Sequence, residues 1–298
     1  MAGAKGKTGR AVVRVRHGVQ IAVLALFCLP GLASGLHLFG LFAGIDDRAA
    51  TASMLPFFGS LSSSTIGGIT LLDPFGALEM ICASKSFELG WLTAALPVLL
   101  VYGLIRGRVF CGWVCPVNLL LECVDWLRAK LGLKVAEHAL PRHTKLWVAL
   151  GILALSALSG TLVFEAFSPI SAINKGIIFG SLTGALVLLA IVIAELFWAH
   201  RVWCRALCPL GGFYEALGTL GFVSVKMDAD ACTHCSACRG ACICDPEILD
   251  GVLDEGEGRV IAGDCMLCGK CVSACPSDAL GFGVAAPFPK RRRKDGRS

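Results

Sequence analysis

Long apolar runs separated by charged connections fill the first two thirds of the chain, and the last third turns polar and cysteine-rich. The runs cover Val19–Phe42, Leu89–Ile105, Leu146–Phe164 and Ile177–Ala199. Each is close to the roughly 20 apolar residues that cross a bilayer as a helix, so the pattern predicts four spans. Trp91 and Trp198 stand where interfacial anchors stand. Between the first two runs a polar connection leads from Asp46 to Glu88, and Ile69–Ala83 within it reads as re-entrant or surface-lying. A secretory signal would also fit a basic start and an apolar run. This run is longer, with no small-x-small site before a folded-looking start, so a retained helix is expected.

Composition sharpens the same picture. Of 298 residues 55% are hydrophobic and 16% charged, and the mean hydropathy is +0.71, which points to membrane spans. Basic residues keep loops on the cytoplasmic side. The segments 1–18, 106–145 and beyond 200 hold 24 of the 27 Lys and Arg, and the two opposite connections hold 3. The expected localisation is therefore a bacterial inner membrane, multi-pass, with both termini and the cysteine-rich region cytoplasmic. The basic tail Lys290–Lys294 fits a solvated tail or an anionic-lipid contact better than nucleic acid.

The polar third carries the chemistry. Cys232, Cys235, Cys238 and Cys242 repeat the C-x2-C-x2-C-x3-C spacing of Cys265, Cys268, Cys271 and Cys275. That spacing wraps two 4Fe–4S clusters in bacterial two-cluster ferredoxins, the fourth cysteine of each half crossing to the other cluster. Cys232, Cys235, Cys238 and Cys275 are expected on one cluster, and Cys265, Cys268, Cys271 and Cys242 on the other. Cys244 is an alternative fourth ligand, because in the first half the proline is displaced to Pro246. Zinc would leave half of these cysteines idle. A disulfide framework belongs to small secreted domains, and sixteen cysteines in a chain this size fit a reducing compartment instead.

The apolar part also repeats. Arg108-Val-Phe-Cys111-Gly-Trp-Val-Cys115-Pro116 returns 93 residues later as Arg201-Val-Trp-Cys204-Arg-Ala-Leu-Cys208-Pro209, and Asp73-Pro74 is echoed by Ser168-Pro169. Two copied hairpins, each ending in C-x3-C-P, are therefore predicted. Cys111, Cys115, Cys204 and Cys208 are candidate metal or redox thiols, against the plainer reading of small polarizable residues at helix ends. Cys28, Cys82 and Cys123 read as ordinary buried residues.

The expected architecture is an α-helical polytopic membrane protein with a C-terminal α+β two-cluster ferredoxin domain. Its parts are a basic segment 1–18, a four-helix membrane domain 19–223, a ferredoxin domain 224–285 and a tail 286–298.

The chain resembles the NapH family, membrane quinol-dehydrogenase subunits associated with periplasmic nitrate reductase. The wider family includes MauN of methylamine utilisation and relatives that mature metal centres. The resemblance lies in Gly59–Thr65, Asp73-Pro74, Arg108–Asn118, Trp203–Pro209 and the double cluster motif. It implies oxidation of quinol from the membrane pool. Electrons would pass through a periplasmic or membrane-associated iron–sulfur or haem subunit to a terminal reductase. Quinol oxidation needs proton acceptors, for which His37, Asp73, Glu79, Glu165 and Glu195 are candidates. His17, His138 and His143 read as solvated, and His234 as tuning or packing beside its cluster. The rival readings are a redox or metal-handling assembly factor for a partner metalloenzyme, and a structural anchor. No phosphate loop, hydrolase elbow or zinc-protease motif is present.

Overall fold

The computed structural model describes residues 3–38, 57–59, 61–66, 68–137, 140–141, 143–173, 184–254 and 257–284. The N-terminal helix α1 (Gly3–Leu38) is followed by an antiparallel meander of β1 (Phe57–Gly59), β2 (Ser63–Ile66) and β3 (Ile69–Leu72). Its register pairs Phe57 with Ile66 and Ser63 with Leu72. Then come α2 (Pro74–Ser84), α3 (Leu89–Ile105), α4 (Val109–Trp113), α5 (Pro116–Leu131), α6 (Thr144–Ser159), α7 (Val163–Phe167) and α8 (Ala185–Phe197). A π-helical turn, Trp203–Leu207, leads into α9 (Pro209–Gly218) and strand β4 (Val223–Met227). The cysteine-rich region adds α10 (Ala237–Gly240), α11 (Asp250–Leu253) and α12 (Lys270–Ala274). It closes with β5 (Leu280–Val284), antiparallel to β4 with Val223 opposite Val284.

Local chemistry sets the helix starts. Asp73 caps α2 by accepting from Gly76 N at 3.0 Å, with Pro74 at the first helical position, where its missing N–H costs nothing. Cys115 and Cys208 occupy the same place before Pro116 and Pro209. Gly132 and Gly160 end α5 and α6 in the left-handed conformation that glycine adopts without strain.

The four-span architecture is not found. Among the described residues no helix is long and apolar enough to cross a membrane. The segment over the second apolar run, α3, has 17 residues, α6 has 16 and α8 has 13. At 1.5 Å per residue even α3 reaches only about 26 Å, short of the ~30 Å of a hydrocarbon core. Helix α1 is longer, but its first half carries the basic residues. Part of the fourth expected span, 177–183, lies outside the described residues. The multi-pass inner-membrane localisation loses its basis with the spans, since the charge rule orients only segments that cross. The apolar excess is divided instead. One share builds the core, and Leu92, Leu96, Leu100, Trp147, Leu158 and Leu186 are left exposed.

That core is continuous from the helices into the cysteine-rich region, joining Phe75, Phe110, Leu121 and Tyr214 to Val225, Leu249, Met266 and Leu280. Helix α1 lies along α12 and against α4 and α5. A Cβ on Gly9 would meet Ser273 N at 2.5 Å, so only glycine permits that approach.

Candidate functional site

Three small cysteine-lined cavities lie within the fold, with volumes of about 10, 20 and 20 Å³. Cys232, Cys235, Cys238 and Cys275 line the first. Cys265, Cys268, Cys271, Cys242 and Cys244 line the second. The loops that build these two share a backbone device. His234 (φ 51°) and Leu267 (φ 50°) each precede the second cysteine of their motif in the left-handed region, and Ser236 (φ 59°) and Gly269 (φ 78°) each follow it. Such alternation turns successive N–H groups inward to form an anion-binding nest. Left-handed non-glycine residues are strained, and His234, Ser236 and Leu267 hold that strain at the site.

Cys242 and Cys244 both reach the second cavity. The Cys242 thiol donates to Asp245 O at 3.3 Å. Its hydrogen bond to Cys244, with help from the Arg108 charge, holds the Cys244 thiol down at about 7 despite burial.

The third cavity lies where the two repeats meet, lined by Cys111 and Cys115 from one and Cys204 and Cys208 from the other. Cys111, Cys115 and Cys204 are buried and Cys208 is half-buried, and desolvation pushes the Cys208 thiol up to about 12. They share one space electrostatically: Cys115 feels Cys111 and Cys208, and Cys204 feels Cys208 and Cys115. Gly211 N donates to the Cys208 Sγ at 3.4 Å.

Buried charge ties the cavities together. Arg108 donates to Cys204 O at 2.7 Å and to Asp264 Oδ1 at 2.8 Å, and Asp264 directly precedes Cys265. Lys145 also pairs with Asp264, and with Glu215 at 3.2 Å. Arg106 donates to the carbonyls of Val223, Val260, Ile261 and Ala262 at 2.5–3.1 Å. Arg201, fully buried, donates to Asp125 Oδ2 at 2.8 Å and to Asn118 Oδ1 at 2.7 Å. Arg108 and Arg201 occupy the same place in the two copies, three residues before the first cysteine. That repeated Arg-Val-x-Cys was the available signal for them. For Asp264, Lys145 and Tyr214 the sequence offers none.

A fourth, larger cavity of about 220 Å³ shares Phe110, Phe164, Ile170 and Leu210 with the third and is lined by Asp73, Glu79 and Glu165. Tyr214 OH donates to Asp73 Oδ1 at 3.2 Å. Burial raises the Asp73 carboxyl from 3.8 to about 6, outweighing the hydrogen bonds from Gly76 and Tyr214. Glu79 is occupied structurally, accepting from Ser156 Oγ at 2.9 Å and Phe164 N at 2.6 Å. Glu195 is not at this cavity; it accepts from Trp203 N at 3.1 Å and anchors the turn that carries Cys204. His37 and His138 lie outside the described side chains.

Two further expectations are corrected. Cys123 is exposed and Cys82 half-buried, because α5 turns the Cys123 face outward and α2 leaves Cys82 near its end; Cys28 lies outside the described side chains. His17 and His143 are paired rather than merely solvated, with Glu122 at 2.9 Å and Glu215 at 2.8 Å.

The residues fit iron–sulfur clusters. The 15 described cysteines are all free thiols, and the first two cavities each offer at least four. The 4Fe–4S binding domain family matches residues 87–134 and 181–226, and a second 4Fe–4S binding domain family matches 259–281. The methylamine utilization ferredoxin-type protein MauN of Paracoccus denitrificans is 36% identical over 84% of this chain and 82% of its own length. The MauN of Methylorubrum extorquens is 38% identical over 72% and 75%, and the ferredoxin-type protein NapH of Escherichia coli 34% identical over 76% and 78%. No solved structure matches the chain. With this sequence likeness over most of the chain and thiol-lined cavities behind the cluster motifs, the chain belongs to the NapH/MauN family of ferredoxin-type proteins and is an iron–sulfur electron-transfer protein.

Proposed function

We propose that the protein oxidises a quinol and sends the electrons through its ferredoxin clusters to a partner. The family resemblance favours the periplasmic nitrate reductase system, reached through an iron–sulfur or haem subunit. The 4Fe–4S clusters supply one-electron acceptance, and a pair of them takes both electrons of a quinol.

The observation that carries this reading is the cavity of about 220 Å³ beside the thiols, with its aromatic and aliphatic walls and its carboxylates. Apolar pockets with a few convergent polar groups are the usual form of a small-molecule site. Phe110 and Phe164 line it, and Phe110 is itself stacked on Tyr214, with centroids 5.3 Å apart. Oxidation to the quinone releases two electrons and two protons. Asp73 takes one proton and Glu165 the other, while the Tyr214 hydroxyl orients the Asp73 carboxylate. An acid titrating at about 6 is ionised near neutral pH yet close enough to it to hold a proton reversibly.

The test is anaerobic stopped-flow reduction of the clusters by a short-chain, water-soluble quinol. In the wild type the rate should rise with pH through about 6 and then level, as the carboxylate becomes available. Asp73→Asn should slow reduction by about 10²-fold, within the usual range for a general base. Reduction of the same variant by dithionite should be unchanged. Equal quinol rates in variant and wild type would end this assignment.

A further inference from the structure

Two of the three cysteine-lined cavities belong to the ferredoxin motifs, and the third has no such motif behind it. We propose that Cys111, Cys115, Cys204 and Cys208 hold a third 4Fe–4S cluster, built across the internal repeat with two thiolates from each copy.

The donor set is complete only when the copies are combined. The 4Fe–4S binding domain family matches each copy separately, over 87–134 and 181–226. Each matched segment brings one C-x3-C pair to the cavity, and the remaining cysteine of the first segment, Cys123, is exposed. Neither segment can ligate a four-iron cluster alone. Folding brings both pairs to one space.

That space is as small as the other two, about 20 Å³ against 20 and 10 Å³. A single ion asks for something else. Zinc needs sulfurs drawn to about 2.3 Å from one centre. Among the described residues no group of three or more His, Cys, Asp or Glu surrounds a point where one ion would sit. The same holds of the ferredoxin cysteines.

The surroundings suit an anion. A cubane on four thiolates is negatively charged. Arg108 lines the cavity, and the buried Arg201 acts on Cys204. Cys115 is the N-cap of helix α5, of 16 residues, and Cys208 that of α9, of 10 residues. Both therefore turn the positive ends of their dipoles toward these sulfurs, and the Gly211 N–H contact to Cys208 is one visible consequence. Arg108 spans from Cys204 O to Asp264, next to Cys265, so this centre would adjoin the second ferredoxin cradle.

The test uses the full chain, purified anaerobically and reconstituted with iron and sulfide. Iron, acid-labile sulfide, zinc and copper are measured per chain, together with the Mössbauer spectrum. The wild type should hold half again as much iron and sulfide as two clusters need. Cys111→Ser with Cys204→Ser should lower both by about a third while both ferredoxin EPR signals remain. Cys268→Ser should instead remove a ferredoxin signal and spare the third, which separates failure here from failure of the ferredoxin assignment. Two clusters' worth of iron in the wild type would overturn the proposal, whether or not a variant folds. So would a single zinc, copper or iron ion bound by these thiols, or an unchanged iron count in the double variant.

Discussion

Asp264→Asn probes how the cysteine-rich region is fastened to the helices. The carboxylate sits between Arg108 and Lys145, and the Asp264 and Arg108 side chains are both about 2% exposed. The amide keeps the shape and one acceptor oxygen but removes the negative charge. Lys145 still has Glu215 at 3.2 Å, so the uncompensated charge falls on Arg108. Stranding one partner of a buried pair costs about 3–5 kcal/mol, and the remaining acceptor places this variant near 3 kcal/mol. Replacing both partners with apolar or neutral groups strands no charge, so Asp264→Asn with Arg108→Met should recover much of the loss. The assay is anaerobic urea unfolding followed by tryptophan fluorescence and by cluster absorbance. With a slope near 3 kcal/mol per molar, the single variant should lower the midpoint by about 1 M. A shift below a third of that, or a double variant worse than the single, would refute the reasoning.

Three further outcomes are expected. Cys242→Ser should lose one cluster on reconstitution and Cys244→Ser should keep both, by iron count and EPR; the reverse would make Cys244 the fourth ligand. For Glu122, burial pushes the carboxyl up, but hydrogen bonds from Arg16 and His17 and the Lys270 charge outweigh it and hold it well below the ordinary 4.5. A depressed carboxylate contributes stability above its unfolded value and loses it as pH falls, so wild type and Glu122→Gln should differ most at pH 7 and converge below about 4.5 in urea titrations. Gly112→Ala would place a Cβ 2.8 Å from Met266 O, and overpacking of that kind should cost about 1–3 kcal/mol in the same assay.

Some of the site is written in short-range order. Cysteines three and four residues apart are bound to meet around one object, whatever the rest of the chain does, and the family likeness rests on such motifs. The proline after Cys115 and Cys208 likewise favours a helix start, because its missing N–H costs nothing at the first helical position. Hydropathy was the weaker guide. It sums side chains without knowing where a helix stops, and Gly160 with its left-handed conformation, or the turn at Trp198, ends helices that the apolar runs would carry on.

What only the tertiary structure decides are meetings between residues far apart in the chain. Asp73 meets Tyr214, Arg108 meets Asp264, and thiols 93 residues apart share a cavity. Each of these depends on how whole helices stack. A raised carboxyl at Asp73 or a buried guanidinium at Arg108 is a property of that stacking, because the neighbours that remove water come from distant segments. Spacing along the chain specifies which atoms can bind iron. The fold decides which of them face one another, since burial and charge act through space.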